Sequence, residues 1–310
     1  MNRLSAISLG IATVLGLGAM AFQLLTALII SPVSLGIGAG LGLLYVLLVV
    51  LLLGRSPMWP RGAHLWTLPA LVWGGGVSLG LATTVGLPVS EIPEKLGWDL
   101  VAASIGGAYP EEFSKALGVA IILLSFRRLN RPWHGLIVGA VVGLGFETIE
   151  NLVYGLTGAI LDPNSDTAGA LGLWGLRLLA GPCLHIIFTG IAGWGIGVAL
   201  YTAEVSFMWR LGRALGGFLV AFALHFSWNL LYGNEAAQIA NMIAVALVMY
   251  PLAVWLFIRG NRRARRDDTY AYTERPLRTV AEAAAVGGCG GGAPATAAAP
   301  AARSAQTPPR

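Results

Sequence analysis

The chain has 310 residues, of which 56% are hydrophobic and 11% charged, and its mean hydropathy is +0.71. These values exclude an ordinary soluble domain and imply an all-α integral membrane protein. The net charge of +5 does not argue for nucleic acid, because most arginines stand in short loops beside apolar runs, where they set topology. Cys183 on a helix and Cys289 in a low-complexity tail offer neither a disulfide framework nor a thiolate metal site.

Apolar runs long enough to span a bilayer fall at residues 4–30, 33–54, 65–87, 100–126, 135–156, 171–200, 214–232 and 239–258, so a bundle of eight transmembrane helices is expected. Ala19, Met20 and Ala21 could form a small-residue cleavage site, leaving seven, but the apolar run continues to Ile30 and favours a retained helix. With the N-terminus inside, the inner loops hold Arg3, Arg55, Arg61, Arg127, Arg128, Arg131, Arg210, Arg213 and the arginines between 259 and 266. The outer loops carry Glu91, Glu94, Asp99, Asp162, Asp166 and Glu235, with Lys95 as their sole basic residue. This bias predicts a multi-pass plasma-membrane protein with both termini cytoplasmic. Residues 1–266 read as the membrane domain, with a motif-bearing core at about 100–233, and residues 267–310, rich in Ala, Gly and Pro, as a disordered tail.

Polar residues interrupt four spans in the middle of the chain. They are Glu111, Glu112 and Lys115 on the fourth, Glu147, Glu150 and Asn151 on the fifth, Arg177 and His185 on the sixth, and His225 and Asn229 on the seventh. A charged side chain at a helix centre costs about 2.5 to 3.5 kcal/mol on the lenient insertion scale, so a cluster of them needs a reason. Glu111 lies 16 residues from Arg127, Glu147 16 from Arg131, His185 16 from Tyr201 and Asn229 16 from Arg213. Each therefore stands about 24 Å from the arginine side, in the outer third of the hydrocarbon.

The polar positions share stripes with small residues four apart: Gly135, Gly139, Gly143, Glu147 and Asn151; Gly181, His185, Thr189 and Gly193; Gly217, Ala221, His225 and Asn229. Such stripes let membrane helices approach closely, so the polar groups face one another rather than lipid. Pro110 after Gly106 and Gly107 suits the first turn of a helix, so the fourth span is expected to break there and to offer free N–H groups to Glu111 and Glu112. Four glutamates against Lys115 and Arg177 leave two formal negative charges, which a divalent cation or protonation would balance.

Plainer roles are available for several of these residues. Arg177 also reads as an interfacial anchor, and His64 and His134, near the inner ends, as snorkelling residues. Glu147, Asn151 and Thr189 also read as interhelical contacts. Glu112, Glu150, His185 and His225 resist such a reading, because packing needs only a hydroxyl or amide, whereas carboxylate and imidazole are the costly groups that move protons or bind metal.

Glu111-Glu112-x-x-Lys115, Phe146-x-x-x-Glu150-Asn151-x-x-Tyr154, His185-x-x-x-Thr189 and His225-x-x-x-Asn229 together resemble the PrsW family of intramembrane proteases, within a wider group that includes the CAAX prenyl endopeptidases. The resemblance covers roughly residues 111–229. It implies that Glu111 and Glu112 are the essential pair, one of them the general base, that His185 and His225 complete the site, and that Asn229 helps hold the oxyanion. In the CAAX-type relatives a histidine stands where this chain has Glu150, which argues against prenyl-protein substrates. The family implies first-step, extracytoplasmic cleavage of a single-span membrane protein such as an anti-sigma factor.

Two mechanisms remain open from the residues alone. His185, His225 and Glu112 could ligate Zn²⁺ while another glutamate takes a proton from bound water, or a glutamate could activate water unaided. Carboxylates and histidines inside membranes also serve proton-coupled transporters, and the same groups could bind a partner helix without chemistry. A conduction path would extend through the membrane, whereas these residues gather at one level. Membrane lipid and a substrate helix are the expected partners.

Overall fold

The computed structural model describes residues 3–62, 64–269 and 271–273, so Cys289 and residues 274–310 of the expected tail lie outside the described residues. Helices are α1 (Arg3–Ile30), α2 (Pro32–Gly54), α3 (Thr67–Lys95), α4 (99–125), α5 (Pro132–Leu161), α6 (Asp166–Ala180), α7 (Leu184–Tyr201), α8 (Phe207–Trp228) and α9 (Glu235–Arg266). No strand occurs among the described residues. Side-chain caps set several starts: Ser31 accepts from Ser34 N at 3.1 Å, Ser165 from Ala168 N at 3.1 Å and Asn234 from Ala237 N at 2.8 Å.

Seven of these helices, all but α4 and α6, are long and apolar enough to cross a membrane. α4, which carries Glu111, Glu112 and Lys115, lies alongside them. It runs from Leu100, whose carbonyl accepts from Leu231 N at 2.9 Å, to Leu123, whose carbonyl accepts from the Tyr201 hydroxyl at 2.7 Å. The fold is thus the expected helical membrane bundle. The sixth pass differs in detail. Where residues 171–200 read as one helix, the chain forms α6 and α7, separated at Gly181, Pro182 and Cys183. Pro182 disfavours a helical conformation at Gly181, and Cys183 adopts a left-handed φ of 63°.

The expected break at Pro110 is absent. α4 stays helical there through a π-helical turn at Ser104–Ala108, whose wider ring accommodates the missing proline N–H. Glu111 and Glu112 therefore do not sit at a free helix start. A second π-helical turn, Trp73–Ser78, interrupts α3 and carries Gly74, Gly75 and Gly76 against α5 and α1.

α5 is the central post. A Cβ on Gly139 would stand 2.2 Å from Thr189 O and one on Gly143 2.1 Å from His185 O, so the α5 and α7 backbones touch along the stripe that the spacing implied. On the far side of α7, Gly217 of α8 meets Gly195 at 2.8 Å in the same way. At the arginine end, residues just past α9 fold back: Arg131 Nε donates to Asp267 at 2.6 Å and Ala203 N to Tyr272 O at 2.9 Å. Burial raises the Asp267 carboxyl, but hydrogen bonds from Thr269 and Arg131 outweigh it and hold the group below its ordinary value.

Candidate active site

α4, α5, α7 and α8 converge on one buried cluster. Lys115, fully buried, lies one turn along α4 from two carboxylates and places Nζ 2.6 Å from Glu112 Oε1 and 3.3 Å from Glu111 Oε2. From α7, His185 presents Nδ1 to Lys115 Nζ at 3.0 Å and Nε2 to Glu150 Oε2 of α5 at 2.9 Å. From α8, His225 presents Nδ1 to Glu112 Oε1 at 2.9 Å and Nε2 to Asn229 Nδ2 at 3.2 Å.

These partners assign the tautomers. An ammonium only donates, so His185 Nδ1 accepts and its Nε2–H points to Glu150. A carboxylate only accepts, so His225 Nδ1–H donates to Glu112 and its Nε2 lone pair is left inward. Both inward nitrogens face Glu111 Oε2, at 3.7 Å for His185 and 3.8 Å for His225. Phe146 packs on the His185 ring at 4.7 Å between centroids, and Phe188 stacks on His225 at 5.0 Å, so each imidazole is held by an aromatic wall as well as a carboxylate.

The neighbouring residues anchor this cluster. Arg177 of α6 forms an ion pair with Glu150, hydrogen bonds to Asn151 and lies over the Tyr154 ring, so it is tied into the site rather than serving as an interfacial anchor. Glu147 faces away from the histidines. Its Oε2 accepts from the backbone N–H of His185 at 3.0 Å and of Ile186 at 3.4 Å, which caps the start of α7 at the break. The Tyr45 hydroxyl of α2 donates to Glu147 Oε1 at 2.8 Å. His134 and His64 lie at the arginine end in local contacts, accepting from Arg131 N at 3.1 Å and Trp59 Nε1 at 3.4 Å.

A cavity of about 360 Å³ opens onto the cluster, lined among others by Glu111, Glu150, His185, His225 and Asn229. A second, of about 450 Å³, runs between α3, α4 and α5 to the same Glu111 and Glu150, past Ser90 and Glu94 at the acidic-loop end. Glu112 lines neither and is fully buried, and its Oε2 has no hydrogen-bond partner among the described residues. Gly107 borders both cavities, and a Cβ there would stand 3.0 Å from Asn229 Nδ2 and 3.4 Å from Glu111 Oε1. A larger residue there would press on both side chains.

Glu111, Glu112, Lys115, Glu147, Glu150, Asn151, Arg177, His185, His225 and Asn229 all reach this neighbourhood, whereas His64 and His134 do not. Tyr45, Phe188 and Gly107 were not singled out. Tyr45 and Phe188 look like ordinary apolar-helix aromatics, and Gly107 carried a signal only through its place before Pro110.

The described residues thus form a helical membrane bundle that gathers carboxylates, two imidazoles and an amide at the wall of a buried cavity. The chain belongs to the PrsW family of intramembrane metalloproteases, whose sequence profile matches residues 62–256. Two curated relatives are each called protease PrsW. The one from Geobacillus kaustophilus is 29% identical over 149 residues, 47% of this chain and 59% of that protein. The one from Shouchella clausii is 26% identical over 157 residues, 49% of this chain and 64% of that protein. The chain thus spans less than two thirds of the length of either relative. No solved structure matches.

Proposed function

We propose that this chain is an endopeptidase that cuts a single-span membrane protein near the acidic-loop end of the bundle, which we read as the extracytoplasmic side. An anti-sigma-factor-like regulator, cleaved in a first step, is the substrate the family implies. The observation that carries the reading is the place of Glu111. It borders the cavity, pairs with Lys115 and faces the inward nitrogens of both histidines.

In this mechanism Glu111 takes a proton from a water in the cavity, and the resulting hydroxide attacks the scissile carbonyl carbon. Asn229 spends one amide N–H on His225 and has a second to donate to the oxyanion. Collapse of the intermediate breaks the C–N bond, and the proton held by Glu111 passes to the leaving amine. Glu112 does not reach the cavity, whereas Glu150 borders it. They orient His225 and His185 through their outer N–H groups, as carboxylates do behind histidine sites.

A divalent ion fits the donor set: Glu111, Glu112, His185 and His225 each offer an atom, all within 4.8 Å of one another, and Glu112 Oε2 lacks a partner. His185 and His225 with Glu111 or Glu112 would hold it, Lys115 and Asn229 giving up their hydrogen bonds to the inward imidazole nitrogens. When bound, zinc would polarise the carbonyl and acidify water. Lys115 shares the same carboxylates, so its ammonium balances their charge when no ion is present.

The test is purified protein with a labelled single-span substrate. The reading expects cleavage by the native chain and its loss in Glu112→Gln and His185→Ala. Undiminished cleavage in both variants would overturn it. Loss with chelator and recovery with zinc would assign the metal route, and activity indifferent to chelator the glutamate route.

A further inference from the structure

The arginine end of the bundle, opposite the cavity of the cluster, carries a second concave feature that hydrolysis does not use. A groove of about 280 Å³ lies between α7, α8 and α9, with apolar walls that include Ile191, Val198, Val220 and Leu252. Arg213, Arg259 and Arg263 stand at its polar end. There it adjoins a cavity of about 640 Å³ that shares Trp255, Arg259 and Arg263 and adds Arg262 and Arg266.

The charge of this corner is one-sided. Its acidic lining residues are Asp267 and Asp268, and Asp267 is already engaged by Arg131 at 2.6 Å. Arg259 lies over the Trp255 ring at 4.9 Å and Arg263 near both the Trp194 and Tyr272 rings, at 5.8 and 5.7 Å, which keeps both side chains beside the groove. Topology alone explains arginines here, but it calls for neither a groove nor a shaped floor.

The floor is shaped by glycine. Gly212 and Gly216 line the groove, and a Cβ at either would meet nothing within 4 Å, whereas Gly217 beside them packs on Gly195. A glycine inside a helix costs about 0.5 to 1 kcal/mol relative to alanine, and no neighbouring helix requires these two. What they leave is open space in a groove whose walls are apolar and whose polar end carries Arg213, Arg259 and Arg263.

We propose that this groove binds an anionic phospholipid, with an acyl chain between α8 and α9 over Gly216 and the phosphodiester on Arg259 and Arg263. Guanidinium recognises phosphate oxygens in pairs, and basic pockets between helices at the membrane edge are suited to anionic headgroups.

Native mass spectrometry of the full chain, released from neutral detergent with dioleoyl phosphatidylglycerol or dioleoyl phosphatidylcholine, tests this. Each arginine near an anionic headgroup is worth about a fivefold preference, so the pair gives about 25-fold retention of phosphatidylglycerol over phosphatidylcholine. Arg259→Gln with Arg263→Gln removes the preference, while Arg259→Lys with Arg263→Lys keeps most of it and shows that loss is not misfolding. Gly216→Phe fills the groove and lowers phosphatidylglycerol retention with every arginine in place. Equal retention of the two lipids by the native chain, or an unchanged preference in the double glutamine variant, would overturn the proposal. So would displacement of the lipid by equimolar inorganic phosphate, or full retention by Gly216→Phe.

Discussion

α1 and α5 are both apolar helices of nearly thirty residues, yet they occupy opposite environments. In the membrane-length stretch of α5, 78% of residues are buried inside the bundle, against 11% in α1. Hydropathy does not separate them, since α1 at 2.0 is only slightly more apolar than α5 at 1.6. What separates them is the placement of small and polar residues. Gly135, Gly139 and Gly143 lead along one face of α5 to Glu147 and Asn151, whereas Gly10 and Gly18 of α1 have no neighbour within 4 Å of a Cβ position. In lipid, the interior of a bundle is chosen by close backbone approach and by hydrogen bonds, because apolarity favours neither side.

The sharpest way to break this contrast is steric. Gly139→Leu places side-chain carbon where Thr189 O stands and is expected to destabilise the bundle by about 3 kcal/mol or more. Gly10→Leu should fall within about 0.5 kcal/mol of the native chain. Thermal unfolding of both variants in the same detergent measures the difference, and equal melting temperatures would refute the packing account. A chemical contrast follows on the same helix. Glu150→Gln keeps the shape but weakens the orientation of His185, and cleavage is expected to fall by about 10- to 100-fold with little change in unfolding.

Tyr45 sharpens the comparison from the other side, because it carries a hydrogen bond from the largely lipid-facing α1–α2 hairpin to a buried carboxylate of α5. Tyr45→Phe removes one hydrogen bond to Glu147, with an expected loss of about 1 kcal/mol in unfolding free energy. The smallest effect belongs to the arginine end. Asp267→Asn should cost at most about 1 kcal/mol, since the pair with Arg131 is partly exposed. The Asp267 carboxyl lies below its ordinary value of 3.8, so its contribution is fully present above that value and is lost only as pH falls through the lowered one. The stability difference between Asp267→Asn and the native chain should therefore be flat from about pH 5 to 8.

Much of this architecture is legible in the sequence because the physics of lipid leaves few choices. Long apolar runs mark the passes, and polar residues at a common depth mark the helices that must face each other. The glycine spacing on α5 and α7 predicts their contact residue by residue. The irregular turns are less legible. Gly106, Gly107 and Pro110 read as a helix break, and the chain instead widens one turn and continues as a helix. Gly181-Pro182 carried a genuine break signal that the surrounding apolar run concealed. The division of labour between adjacent Glu111 and Glu112 was not legible either. It depends on which side chain reaches the cavity, which the residue types alone do not reveal.

That division is the centre of the account, and one measurement tests it most directly. Purified Glu111→Gln should unfold like the native chain while cleaving a labelled single-span substrate about 10²- to 10⁴-fold more slowly, the usual loss on removing a general base. Cleavage at the native rate by folded Glu111→Gln would contradict it.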